Sequence, residues 1–125
     1  MIKLTFCLRR RGDLTREAFQ DYWLETHGPL VHQRAAVLDC RRYVQCHTLD
    51  LPGLHAAFQR RNDSAPEPFD GVAELWFDDL DALGVDNAER RQASAELLAD
   101  EQNFIDLSRS PMWIGTEHEI VPLQR

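Results

Sequence analysis

Alternating apolar and polar residues predict three strands in this chain. Residues 2–9, "IKLTFCLR", carry Ile, Leu, Phe and Leu at every second position, which is the period of a strand with one buried face. The same period returns in residues 40–49, "CRRYVQCHTL", and in residues 69–79, "FDGVAELWFDD". A fourth strand is predicted at residues 116–123, "TEHEIVPL", with Glu117 and Glu119 on one side.

A helix is predicted to begin after Thr15, which can cap it, and Leu14 can pack back on Phe19 as a hydrophobic staple. Its apolar stripe continues through Tyr22 and Trp23. We expect this helix to end near residues 26–27, because a Gly-Pro pair follows and proline disfavours helical geometry at the residue before it. A second helical piece is predicted over residues 29–38, with proline in its first turn.

A later helix is predicted to begin at Asp86, with Glu89 completing the cap, and to continue through residue 107 with a kink or restart at Asp100. Asp100, Glu101 and Asp106 are interpreted as a cap and an exposed helix face. Residues 51–68 are rich in proline and polar side chains, and they are predicted to form a long loop with a short helix at residues 54–60.

The element order is therefore β-α-β-β-α-β over a single domain, residues 1–125. This order predicts the ferredoxin-like α+β fold, in which helices cover one face of a four-stranded antiparallel sheet. The other face carries aromatic and polar side chains instead of a solvated charge pattern. We expect it to close against a second copy of the chain, forming an α/β barrel that encloses a cavity.

Composition and motif content limit the classes of partner, compartment and cofactor that this chain is expected to have. The formal net charge of -7 disfavours nucleic acid, although arginine occurs in doublets. No apolar run is long enough for a membrane helix, and no signal-peptide pattern begins the chain, so a cytoplasmic protein is expected. The three scattered cysteines argue against disulfides and are interpreted as small buried residues. No metal-binding, phosphate-binding or dinucleotide motif occurs, so no cofactor is predicted.

His27 is the first candidate catalytic residue, because an imidazole near the end of a helix can accept or donate a proton at neutral pH. Its alternative role is a C-cap that hydrogen-bonds the last free carbonyls of that helix. Glu74 is the second candidate, since a carboxylate in an apolar cavity has a raised pKa and can act as an acid or base. The alternative for Glu74 is a buried ion pair or dimer contact with Arg9 or Arg42.

The candidate substrate-binding residues are polar or aromatic side chains that regular strand alternation would turn toward a cavity, together with one helical tryptophan. They are Tyr43, Gln45, His47, Trp76 and Trp23. A bulge in the second strand would instead turn its three members outward.

Three stretches of the chain resemble the EthD-type branch of the dimeric α/β-barrel proteins, which is named for a protein of ethyl tert-butyl ether degradation. They are "LTREAFQDYWLETHGPLV" at residues 14–31, "FDGVAELWFDDLDAL" at residues 69–83, and "LLADEQNFIDLSRS" with "GTEHEIV" near the end of the chain. The resemblance implies a homodimer of ferredoxin-like subunits that holds small hydrophobic or aromatic molecules. Relatives by fold include cofactor-free monooxygenases, cyclases, dehydratases, isomerases and haem-handling enzymes, so a haem held by a histidine stays open by analogy alone.

These observations together lead to two hypotheses. The first is an enzyme that acts on an aromatic or polyketide-like carbonyl compound, with His27 as general acid or base and Glu74, Tyr43, Gln45 and His47 orienting the substrate. The second is a non-catalytic dimer that binds a hydrophobic ligand or assists an oxygenase.

Overall fold

The computed structural model describes residues 1–125 and contains four strands in the spatial order β2-β3-β1-β4. All neighbouring strands are antiparallel. The strands are β1 (Ile2–Leu8), β2 (Arg42–His47), β3 (Gly71–Phe77) and β4 (Met112–Gly115). The α-helices are α1 (Arg16–Tyr22), α2 (Gly28–Arg34), α3 (Pro52–Arg61), α4 (Leu80–Leu83) and α5 (Ala88–Glu101), with a π-helical turn at Trp23–His27 and a 3-10 turn at Leu107–Arg109. The predicted α+β order and ferredoxin-like topology are thus confirmed.

The core lies between the sheet and the first and last long helical segments. Phe6 and Leu8 of β1 and Ala73 of β3 pack in one buried cluster with Phe19 and Trp23 from the first helical segment. Phe104 and Ile105, in the turn that follows α5, complete the cluster. The predicted cap is present, since the Thr15 hydroxyl accepts a hydrogen bond from the Ala18 amide at 3.1 Å.

Several predicted element boundaries are wrong. The helix α2 ends at Arg34 instead of residue 38, and α5 ends at Glu101 instead of residue 107. The helix α5 is capped by Asn87 instead of Asp86, because the Asn87 side chain accepts from the Arg90 amide at 2.9 Å. The last strand is residues 112–115, where β1 pairs Phe6 with Met112 and Thr5 with Trp113. Residues 116–123, predicted as a strand, lie outside the sheet. The short helix expected in the 51–68 region is present and longer, as α3.

The uncovered sheet face carries a mixed set of side chains. Register places Val44, Glu74, Thr5 and Trp113 in one row across the four strands. This row lies opposite the buried cluster, because its members alternate with Phe6 and Ala73.

Of the three cysteines only Cys7 is buried, whereas Cys46 is exposed, which corrects the expectation that all three are buried.

None of the helices has both the length and the apolar character required to cross a membrane.

Candidate functional site

The first helical segment does not stop at the Gly-Pro pair. The Gly28 amide donates to the carbonyl of Trp23, five residues earlier, which widens the helix by one residue into a π turn. A wider turn relieves the crowding that a proline ring normally causes with the preceding turn, so Pro29 is accommodated within α2. The predicted end of the helix at residues 26–27 is therefore wrong, and His27 is not a C-cap.

The π turn directs His27 into the protein, where the residue is only 5% exposed. Its Nδ1 lies 2.7 Å from Oδ2 of Asp100 at the end of α5. The other carboxylate oxygen of Asp100 accepts from the hydroxyl of Tyr22 at 2.5 Å. The amide of Asn103 donates to that same hydroxyl oxygen at 3.2 Å. Two helices are thus joined by a small polar network with Asp100 at its centre.

Electrostatics favour a neutral imidazole beside an ionised carboxylate. Burial lowers the pKa of His27, and the opposing effect of Asp100 is smaller. Burial alone would raise the pKa of Asp100, but hydrogen bonds from Tyr22 and His27 hold it below its ordinary value. Because an ionised carboxylate only accepts, the proton of the neutral ring is assigned to Nδ1, which leaves the lone pair on Nε2.

The Nε2 atom of His27 is the free end of this arrangement. It has no hydrogen-bond partner in the chain. Every fully buried side-chain nitrogen or oxygen in residues 1–125 has a hydrogen-bond partner, so an atom without one is not fully buried. Nε2 is therefore not completely enclosed, although the residue is only 5% exposed and the ring packs 5.1 Å from the Phe104 ring. A neutral imidazole that is oriented by a carboxylate and unpartnered at Nε2 has the chemistry of a general base.

Strand β2 contributes a second polar group on the same side of the sheet. Gln45 donates from Nε2 to the Trp23 carbonyl and to the Tyr43 hydroxyl, each at 2.9 Å. Its Oε1 accepts from Nε2 of His47 at 2.8 Å, and the His47 ring stacks on Trp23 at 4.5 Å. Gln45 thus connects β2 to the first carbonyl of the π turn. Burial lowers the pKa of His47 and raises the pKa of Tyr43.

The fold brings together five of the seven residues chosen from the sequence and separates the other two. His27, Trp23, Tyr43, Gln45 and His47 all lie on the helix-covered side of the sheet. The alternation predicted for β2 is regular, but the face bearing these side chains packs under the helices instead of lining an open barrel.

Glu74 and Trp76 lie on the uncovered face, so neither reaches the His27 network. Glu74 forms an ion pair with Lys3 at 2.6 Å instead of with Arg9 or Arg42. The Arg42 guanidinium lies 4.6 Å from the centre of the Trp76 ring, a cation–π contact, and the indole N–H donates to Glu117.

The acidic side of the site was missed in the sequence. Asp100 and Glu101, which the sequence predicts to form a cap and an exposed helix face, are both partly buried. The sequence does carry a signal, which is the helical spacing of the apolar residues Ala93 and Leu97, buried and half-buried in α5. The same helical spacing reaches Glu101, which therefore faces the sheet.

No three histidine, cysteine, aspartate or glutamate side chains lie close enough together to hold a metal ion. A surface cleft of about 700 Å³ lies elsewhere, between α1 and α3, and none of its lining residues is hydrophobic. His27 is not among them.

Comparison with known proteins agrees with the observed fold. The model of the EthD domain family matches residues 11–108, which include α1, the π turn, β3 and α5. This chain belongs to the EthD family. Among curated proteins, no sequence matches it.

Several solved structures share the EthD-domain fold seen here. An ethyl tert-butyl ether d (EthD) family protein from Bacillus halodurans C-125 superimposes with a TM-score of 0.61 at 19% identity, covering 94% of this chain and 99% of its own. An EthD-like protein from Ralstonia eutropha JMP134 gives 0.61 at 20% identity, with 96% and 92% covered. A protein from Bacteroides fragilis, described as dimeric, of unknown function and with a ferredoxin-like fold, gives 0.54 at 14% identity, with 91% and 93% covered. At these identities the likeness shows the fold alone.

Proposed function

We propose that this EthD-family protein is a homodimeric enzyme that removes a proton from the carbon next to a carbonyl group in a small aromatic or polyketide-like compound. His27 is the base, and Asp100 holds its ring. The observation that carries the proposal is the buried His27–Asp100 pair, 2.7 Å apart, with Nε2 unpartnered. A proton taken next to a carbonyl is the first step of cyclisation, dehydration, isomerisation or cofactor-free oxygenation.

The surroundings of His27 suit an aromatic or apolar substrate. The ring contacts Phe104, and Trp23, at the start of the same π turn, is fully buried. The polar chain of Tyr43, Gln45 and His47 offers a small number of fixed hydrogen-bonding groups, which is what a mostly apolar site needs to orient a carbonyl compound. In this proposal the site lies between the helices and the sheet of each subunit.

Glu74 and Trp76 have a different role in the proposal, as part of the dimer interface. Their sheet face is left uncovered, and Trp113 on the edge strand is 51% exposed. Trp76 is buried by contacts within its own chain, so the exposed aromatic group of this face is Trp113, which lies on the same side of the sheet as the Lys3–Glu74 ion pair. An exposed tryptophan on a sheet face is typical of a surface that is buried in an assembly. The Bacteroides fragilis neighbour is described as dimeric, which also favours this arrangement.

The test follows proton exchange, which needs no knowledge of the final product. A panel of aromatic ketones and diketones is incubated with the protein in D2O, and loss of the C–H signal next to the carbonyl is followed by NMR. A positioned general base contributes roughly 10²- to 10⁴-fold, so we expect His27→Ala to lower the protein-dependent exchange rate by about that factor.

The matched control is His32→Ala, which removes an exposed histidine from α2 and is expected to leave exchange unchanged. Equal exchange by wild type and His27→Ala would refute the assigned base. Tight binding of a panel compound, seen by native mass spectrometry without any exchange, would favour the alternative of a ligand-binding or oxygenase-accessory dimer.

A further inference from the structure

Glu101 is an anomaly in the packing of α5. The sheet-facing stripe of this helix consists of Arg90, Ala93 and Leu97. Glu101 lies one helical turn after Leu97 and continues that stripe. An apolar side chain is the ordinary choice there. The carboxyl group of Glu101 accepts no hydrogen bond and forms no salt bridge, whereas the partly buried Glu74 and Glu96 are each paired with a basic residue.

The groups facing Glu101 favour its uncharged form. On its own helix the neighbour is the ionised Asp100, which already binds His27 of the π turn and Tyr22 of α1. From β2, burial is the main cause of the raised pKa of Tyr43, and the charge of an ionised Glu101 raises it further. No cation reaches Glu101. Burial and Asp100 therefore raise its pKa to about 7.

Glu101 is also tied to His27 through the backbone. Its carbonyl accepts from the amides of Phe104 and Ile105, at 3.1 and 2.8 Å, which closes the end of α5. This turn sets the Phe104 ring against His27, while Asp100, one residue before Glu101, binds the imidazole itself. One short segment thus carries the group that orients the base and an unpaired carboxyl group.

We propose that Glu101 is a second catalytic residue, a general acid that protonates the carbonyl oxygen of the substrate while His27 removes the proton from the adjacent carbon. This inference rests on the proposed function. The C–H bond breaks and its proton moves to Nε2. The C–H electron pair forms a C=C bond, the carbonyl π pair moves to oxygen, and that oxygen takes the carboxyl proton of Glu101.

The step leaves an enol, an imidazolium and a carboxylate, with atoms and charge balanced. Return of the imidazolium proton to carbon, and of the enol proton to Glu101, restores both residues. If the proton returns to a different carbon, the product is an isomer, so the pair specifies enolisable carbonyl compounds as the substrate class. A carboxylic acid that keeps part of its population protonated up to about pH 7 can donate to a developing enolate oxygen.

The first measurement needs no substrate. Infrared difference spectra of wild type and Glu101→Gln, recorded from pH 5 to pH 9, isolate the C=O band of one protonated carboxyl group. We expect that band to persist to about pH 7 and to be missing in Glu101→Gln. Absence of the band from wild-type spectra already at pH 5 would overturn the proposal, because Glu101 would then hold no proton to donate.

The second measurement is the pH dependence of deuterium exchange with 2-tetralone, an aromatic ketone with acidic C–H bonds next to its carbonyl. Wild-type exchange should require neutral His27 and protonated Glu101, giving a bell-shaped profile with an alkaline limb near pH 7. Glu101→Gln should lower the rate roughly 10²-fold or more and lose that limb. Glu89→Gln, at the exposed start of α5, is the matched control and should retain it.

An alkaline limb that survives in Glu101→Gln would overturn the role of Glu101 and leave His27 as the base. Unchanged exchange in His27→Ala, or no exchange by the wild type, would instead refute the proposed function, and the role of Glu101 would fall with it. The infrared band would still report whether Glu101 is protonated, so the two failures are distinguishable.

Discussion

Burial of Glu101 makes the stability of this protein depend on pH in a direction opposite to that of a paired carboxylate. Its pKa rises from 4.5 to about 7 on folding. One pKa unit corresponds to about 1.4 kcal/mol, so the difference between the folded and unfolded states amounts to about 3 kcal/mol. This is a substantial part of the ~5–15 kcal/mol that stabilises an ordinary domain.

The sign follows from proton binding. Because the folded state holds the Glu101 proton more tightly, the stabilisation is fully present below about pH 4.5 and is lost as the pH rises through 7. Glutamine at this position has nearly the same shape and no charge at any pH. The free energy of unfolding of Glu101→Gln, minus that of the wild type, is therefore expected to grow by about 3 kcal/mol between pH 4 and pH 8.

Urea unfolding followed by tryptophan fluorescence measures this difference, because Trp23 is buried in the core. Subtracting one free energy of unfolding from the other removes the contribution of every group that titrates in the same way in both proteins. Glu89→Gln again serves as the control for removing one carboxylate from α5 and should follow the wild-type pH dependence. A constant difference between Glu101→Gln and wild type across this pH range would refute the claim that folding buries an unpaired carboxyl group.

Three further predictions test other parts of the structure. Asp100→Asn should let the Nδ1 proton of His27 move to Nε2, abolishing most proton exchange, and ¹⁵N NMR of the ring would report the tautomer. Gly71→Ala should destabilise the fold by about 1–3 kcal/mol in urea unfolding, because a Cβ there would lie 2.4 Å from Cζ3 of Trp23. Trp113→Asp should convert the proposed dimer to a monomer in sedimentation, and a dimer that survives would contradict the proposed interface.

The pattern of the sequence was sufficient for the element order and for the faces of the central strands. Alternation in β3 correctly placed Glu74 and Trp76 on one side and Ala73 on the other. The cap at Thr15 was also correctly identified. These features depend on interactions between residues a few positions apart, so a single stretch of chain contains the information.

Other features were decided by contacts between distant parts of the chain. The Gly-Pro pair predicted a helix end, but Gln45 of β2 and the Gly28 amide both satisfy the Trp23 carbonyl, so a π turn continues the helix. The last strand was placed too late, because pairing with β1 selects residues 112–115 and a short edge strand has little pattern of its own.

The candidate site depended on both levels. The sequence by itself determined that His27, Tyr43, Gln45 and His47 are polar or titratable groups at positions fixed by helical and strand periodicity. Only the tertiary structure decided which sheet face the helices cover, and so separated Glu74 from His27 and brought Asp100 within 2.7 Å of the imidazole. The reason is physical: periodicity determines the direction of a side chain relative to its own element, whereas burial, pairing and pKa depend on the elements packed against it.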